Sequence, residues 1–400
     1  MTTEIGKGCE PAMKRLWQMI PPCLSDVQGV QALMNNTEGI AVVDDASSYK
    51  PLRFLQGGMG HPENRRGPGG KHNGYFGTQR MVSSEVREAD VITGTSEKMW
   101  DAVCVGLKAF QPMFLLLTTA PCAAMIGADH GDTLNRIREE CRIPAAIVDL
   151  DGQKDFLYGI SMALEAMGTI LPEKRDTQPG SVNLLGCHSV DWTENMVWNT
   201  ENWLSGNGWK VLSRWGSRET TENFRNAAAA EANLVVDVSG LRLARYMERK
   251  FGIPYVVGAP FGKAQCARLL EELRSREKVP LPEDGAGEPD ALIIGEQLAS
   301  DAIRRGLESR GFTHVRVCSF FDMDKELMRP GDRKLASEDD LAAELSNQNL
   351  QIVFGDTDYK LNALVKWVPL HNQGNLAPMS LMTPVSMTDG ALDLWLDSVL

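Results

Sequence analysis

Nothing in this 400-residue sequence approaches the run of about 20 apolar residues that a membrane-crossing helix needs, so no membrane span is expected. The opening Met1-Thr2-Thr3-Glu4 lacks a basic segment followed by an apolar one. No export signal is therefore expected, and the cytoplasm is the expected compartment. Basic blocks are missing too. With a formal net charge of −12, neither nucleic acid nor an anionic membrane is expected as the main partner. No Cys-x-x-Cys pair occurs, which argues against a self-contained zinc ribbon or ferredoxin-type site. There is no Gly-x-x-x-x-Gly-Lys-Ser/Thr loop and no strand-Gly-x-Gly-x-x-Gly-helix order. Any ATP hydrolysis would have to reside in a separate protein.

What is present is an ordinary α/β composition, 43% hydrophobic and 24% charged, in a chain long enough for two or three domains with full cores. Strand-like apolar runs alternate with amphipathic helical stretches, which predicts parallel sheets built from βαβ units. The expected strands are 39–43, 113–117, 145–150, 181–185, 233–238, 255–258, 291–295, 314–319 and 351–355. Helices are expected over 220–232, 241–251 and 298–310. Polar, Pro-containing segments at 172–180 and 280–289 divide the chain into Rossmann-like units over 1–179, 180–282 and 283–370. The final segment, 371–400, is expected to return to the first unit or to a partner.

Eight cysteines are scattered along the chain, and without an export signal no disulfide framework is expected. Cys104, Cys141, Cys187, Cys266 and Cys318 read as small buried hydrophobes. Cys122 differs. It lies in Thr118-Thr119-Ala120-Pro121-Cys122-Ala123-Ala124-Met125-Ile126-Gly127-Ala128-Asp129, directly after an apolar strand and before a helix start. Open α/β sheets place their ligands there. Upstream stands Ser84-Glu85-Val86-Arg87-Glu88-Ala89-Asp90-Val91-Ile92-Thr93-Gly94-Thr95-Ser96-Glu97-Lys98-Met99. Together the two segments resemble the first domain of nitrogenase component 1 proteins. The resemblance continues through Ser181-Val182-Asn183-Leu184-Leu185-Gly186, Trp215-Gly216-Ser217-Arg218-Glu219-Thr220-Thr221 and Phe251-Gly252-Ile253-Pro254-Tyr255, and covers roughly residues 20–370.

The resemblance implies three Rossmann-like domains and an iron–sulfur cluster at a subunit interface, four-iron or eight-iron, with Cys122 as one ligand. Two residues compete for the ligand nearest the N-terminus. Cys23, in Pro21-Pro22-Cys23-Leu24-Ser25-Asp26, stands a family-like distance before the first strand; Cys9, in Cys9-Glu10-Pro11, leaves a longer gap. Cys23 is favoured. At the position of the family's second cysteine this chain reads Asp44-Asp45-Ala46-Ser47-Ser48-Tyr49. Ser48, Tyr49 or an Asp carboxylate would have to stand in. The cysteine that holds the catalytic metallocluster in alpha subunits is also missing, because the matching strand ends Val235-Val236-Asp237.

The resemblance therefore implies a beta-type subunit, with the larger cluster held by an alpha-type homologous partner in a heterodimer or heterotetramer. A separate ATP-dependent iron–sulfur reductase would deliver the electrons. By elimination among branches, small methylthio-alkanes are the favoured substrate; a cofactor-assembly scaffold and a tetrapyrrole reductase subunit are the alternatives. His371 reads first as a loop-packing histidine, and Trp192, Trp198, Trp203, Trp209 and Trp215 as core or interface residues. The segment 56–77 carries eight glycines with His, Arg and Lys, which suits either an anion-facing loop or a solvated insertion.

Overall fold

A computed structural model describes residues 25–46, 80–277, 279–280, 287–360, 364–370 and 387–400. The described strands form three sheets in which every ladder is parallel. The first sheet holds β1 (Ile40–Asp44), β2 (Met81–Ser83), β3 (Leu115–Thr119) and β4 (Ala145–Val148), in the order β2-β1-β3-β4. The second holds β5 (Gln178–Leu185), β6 (Lys210–Trp215), β7 (Ala230–Val235) and β8 (Tyr255–Val257), in the order β6-β5-β7-β8. The third is β11-β10-β9-β12-β13, built from β9 (Ala291–Ile294), β10 (Val315–Ser319), β11 (Arg333–Lys334), β12 (Ile352–Gly355) and β13 (Lys366–Pro369).

The apolar runs predict every central strand and two of the edges, β4 and β8. β1, β3, β9 and β12 are buried along their whole length, because helices cover both faces of a parallel sheet. The strands that no apolar run predicts, β2, β6, β11 and β13, are all edges. β11 is exposed throughout, and β6 and β13 are mostly exposed or half-buried, so their sequences need no continuous apolar stretch.

Two expectations need correction. The helix expected over 220–232 is only Thr221–Asn226, followed by a single 3-10 turn, because Ala230 already pairs with Gln178 in the β5–β7 ladder. The polar segment 172–180 likewise ends inside β5, where the Gly180 N–H donates to Glu231 Oε2 at 2.6 Å. The described end of the chain, helix Ala391–Val399, lies against helix Gln297–Glu308. Leu392 and Leu396, one turn apart, bury there with Ile303 and Leu307, and Gly262 holds the helix start by donating to the Asp389 carbonyl.

Strand order matters most for function. In each sheet the chain leaves a central strand, builds outward on one side and then crosses to the other. The switch points fall between β1 and β3, between β5 and β7, and between β9 and β12. The crevice beyond the carboxyl ends of such a strand pair is the position from which loops reach a ligand.

Candidate functional site

Cys122 sits at the first of these crevices. β3 ends at Thr119, whose hydroxyl donates to the Leu150 carbonyl, and Pro121 opens the short helix Pro121–Met125. A proline suits this first helical position because its missing N–H would be unpaired there anyway. Across the crevice β1 ends at Asp44, and Asp45 and Ala46 turn toward the cysteine. The Ala46 N–H donates to Cys122 Sγ at 3.2 Å, and the thiol faces Asp45 Oδ1 at 3.5 Å. Burial pushes the Cys122 thiol above its ordinary pKa; the Ala46 N–H opposes this, and the Asp45 carboxylate reinforces it. Cys122 is only half-buried, and Met125 on the same helix is 83% exposed.

Behind the cysteine lies a buried polar network. Asp44 accepts hydrogen bonds from the Ser84 hydroxyl at 2.6 Å and the Thr95 hydroxyl at 2.5 Å. The Ser84 oxygen in turn accepts from the Asp45 N–H at 3.1 Å. Ser84 and Thr95 thus bind the strand end that presents Asp45, which gives a physical reason for the 84–99 segment. His130 is buried with Nε2 3.7 Å from Asp44 Oδ2, and burial lowers its pKa despite that neighbour.

Of the expected ligands, Cys122 stands at the crevice, while Cys9, Cys23 and Ser48 lie outside the described residues, as do Tyr49, His371 and the 56–77 segment. The carboxylate beside Cys122 is Asp45. Its signal in the sequence is its place one residue beyond the end of β1, but nothing there distinguishes it from Asp44. Ser25 and Asp26, two and three residues beyond Cys23, are tied to the 151–155 loop. Ser25 bridges Asp155, and the Asp26 N–H donates to the Lys154 carbonyl at 2.9 Å. The Asp26 carboxylate accepts from the Val27 N–H at 2.7 Å and the Gly152 N–H at 3.1 Å. Gly152, at φ +73°, packs so closely on the Pro121 ring that a Cβ there would fall 2.4 Å from it. Burial pushes the Asp26 carboxyl up to about 6.

The other cysteines divide. Cys187, Cys266 and Cys318 are buried, and burial raises all three pKa values, to about 12 for Cys187 and Cys266. Cys104 is exposed and Cys141 half-buried, which corrects the expectation that both are core residues. Cys104 points outward from helix Ser96–Phe110, whose inward stripe is Met99, Ala102, Val103 and Gly106.

The model of the nitrogenase component 1 type oxidoreductase family matches residues 64–306. The iron-molybdenum cofactor biosynthesis protein NifE of Nostoc sp. is 25% identical over 226 residues, 55% of this chain and 44% of that protein. The nitrogenase molybdenum-iron protein alpha chain of Clostridium pasteurianum is 25% identical over 283 residues, 66% of this chain and 50% of its own length. The chain thus spans half or less of these two relatives. Among solved structures, nitrogenase Cp1 at pH 6.5 superposes with a TM-score of 0.70 at 11% identity, covering 95% of this chain and 92% of that one. At that identity the likeness speaks for the fold alone.

Proposed function

The chain belongs to the nitrogenase component 1 type oxidoreductase family, and from that premise we propose that it is an electron-relaying subunit of a nitrogenase-like reductase, with Cys122 binding an iron–sulfur cluster shared with a homologous partner subunit. The observation that carries this reading is the half-exposed Cys122 thiol at the first switch crevice, 3.5 Å from the Asp45 carboxylate and on a helix with an exposed Met125. One thiolate and one carboxylate do not complete the ligand set of a cluster, but they fit one edge of a set completed from elsewhere. The remaining ligands on this chain would be Cys23, with Cys9 as the other candidate, and Asp45 or Ser48 in place of the missing second cysteine. The anchoring of Ser25 and Asp26 onto the 150–155 loop supports Cys23.

When bound, an iron–sulfur cluster supplies one-electron storage at a potential set by its surroundings. The chain's part is to hold those surroundings still. The Ala46 N–H donates to the sulfur of Cys122, and Ser84 and Thr95 fix the strand end that carries Asp45. Cys122 would hold the cluster as a thiolate and would have to give up its proton to do so. In this proposal a separate ATP-dependent iron–sulfur protein supplies the electrons, an alpha-type partner holds the larger metallocluster, and the assembly works in the cytoplasm. The beta-type assignment rests on Asp237 standing where an alpha subunit would need a cysteine for the catalytic metallocluster. The substrate we favour is a small methylthio-alkane.

The test is an anaerobic iron count on the complex purified with its native partner, for wild type and Cys122→Ala. Cys122→Ala is expected to lose the interface cluster and electron transfer; unchanged iron would remove the assignment. In the wild type, about four irons per heterodimer would mean one small cluster, and roughly fifteen would mean two large ones. A second reading, an assembly scaffold, is favoured by the likeness to NifE proteins. Methylthio-alkane turnover with the reductase protein and ATP separates the two, since a scaffold gives none.

A further inference from the structure

The second switch crevice carries chemistry that the proposed relay does not use. Beyond β5 the chain runs Gly186-Cys187-His188, and beyond β7 it runs Val236-Asp237. Glycines let the two loops and the neighbouring β6 turn close on one another. A Cβ on Gly186, at φ +90°, would fall 2.8 Å from the Asp237 carbonyl, and one on Gly216, at φ +126°, would fall 2.7 Å from the His188 nitrogen. The result is a buried histidine facing a buried aspartate, with His188 Nε2 3.4 Å from Asp237 Oδ2.

Asp237 is oriented for this. Its Oδ1 accepts from the Ser239 N–H at 2.8 Å and the Ser239 hydroxyl at 2.6 Å, which turns Oδ2 toward His188. Asp191, one turn beyond the histidine, closes the group: one donor atom from each of His188, Asp191 and Asp237 lies within 4.8 Å of the other two. His188 Nδ1 is buried with no hydrogen-bond partner among the described residues, while Nε2 faces the Asp237 carboxylate at ion-pairing distance. Phe156 packs against the imidazole in a T-shaped arrangement, with ring centroids 5.7 Å apart. A third acid arrives from the third sheet. Glu296 caps helix Gln297–Glu308 and accepts from the Val238 N–H at 3.0 Å, one residue from Asp237. No Lys or Arg forms an ion pair with Asp237 among the described residues.

We propose that His188, Asp191 and Asp237 form a binding site for a single divalent first-row transition-metal ion, separate from the Cys122 crevice. One imidazole with carboxylates suits Zn2+ or Fe2+ better than Mg2+ or Ca2+, which prefer oxygen alone. In a tetrahedral site with metal–ligand bonds of about 2.0–2.1 Å, donors stand about 3.3 Å apart, close to the His188–Asp237 separation. Asp191 reaches the ion by rotation of its carboxylate or through a water. The ion would tie the β5 and β7 loops together.

The experiment uses the full-length chain as Cys122→Ala, so that cluster iron does not enter the count. Chain purified from zinc-supplemented cells is stripped of loose ions on a desalting column and its zinc is measured. It is then titrated with Zn2+ while its melting temperature is followed. One tightly held Zn2+ per chain is expected, with a higher melting temperature. Asp237→Asn and His188→Gln should each weaken binding at least tenfold and abolish the thermal shift. A folded chain that retains no zinc and shows no shift would overturn the site, as would equal binding in both variants. Either result leaves the Cys122 assignment untouched, because that rests on the iron of the wild-type complex.

Discussion

At Cys122 the sulfur is poised between a donor that favours the thiolate and a carboxylate that opposes it. Removing the carboxylate charge should therefore tip the balance. In iron-free protein, Asp45→Asn is expected to lower the pKa of Cys122 and raise its alkylation rate near neutral pH, measured on the Cys122 peptide by mass spectrometry; an unchanged rate would show that Asp45 does not act on the thiol. Asp26 gives a second test. Its folded pKa of about 6 lies above the ordinary 3.8, so the folded state holds the extra proton between these values. Stability attributable to Asp26 rises as pH falls from about 7 to about 4, by at most about 3 kcal/mol. Denaturant unfolding of wild type and Asp26→Asn across that range should show wild type gaining on the variant toward acid. A gap that stays constant with pH would contradict the assignment. Cys122 was legible in the sequence because one strand and one turn place it. His188 and Asp237 were not, because 49 positions separate them and only the switch of strand order brings them together.

Elements meet at two kinds of contact here, one made by absence of side chains and one by charge. Helices Asp26–Met34 and Phe156–Ile170 touch through glycines: a Cβ on Gly159 would fall 1.9 Å from the Asp26 carbonyl oxygen, and one on Gly29 would fall 2.2 Å from that of Phe156. Gly159→Ala must push backbone away from backbone, so a loss of more than about 2 kcal/mol is expected by thermal or denaturant unfolding. In iron-loaded protein it should also loosen the segment after Cys23. In the third unit, buried Arg304 bonds Asp332 at 2.7 Å and Asp301 at 2.7 Å, and Arg305 and Arg329 join Asp301. These guanidiniums overcome burial and hold the Asp301 carboxyl well below its usual range. Arg304→Met leaves buried Asp332 and half-buried Asp301 short of a partner and should cost about 3–5 kcal/mol. Central strands were readable from apolar runs. Edge strands β2, β6, β11 and β13 were not, since an edge needs burial on fewer sides.

For the whole molecule, alternation of strands and helices was enough to expect parallel α/β architecture, and the described sheets have it. The distribution of acids over the crevices was not readable in the same way. Asp44 ends a central strand, and Asp45, Asp237, Glu296 and Asp356 lie just beyond the ends of central strands; all are buried, and Asp237 and Glu296 accept from backbone N–H groups of the turn that follows. Their carboxylates become a pattern only when the strand order is known.

Because every ladder is parallel, no described strand pair can close through a short hairpin; each waits for a crossover. Such pairing is late and slow, since a long loop must be closed before any ladder bond forms. The chain is thus expected to refold in several phases, one unit after another, and to expose unpaired strand edges meanwhile. Yield on refolding should fall steeply with protein concentration and recover at low temperature or with a chaperone. The arrangement that gathers distant loops at the crevices also makes this a chain that is slow to acquire its form.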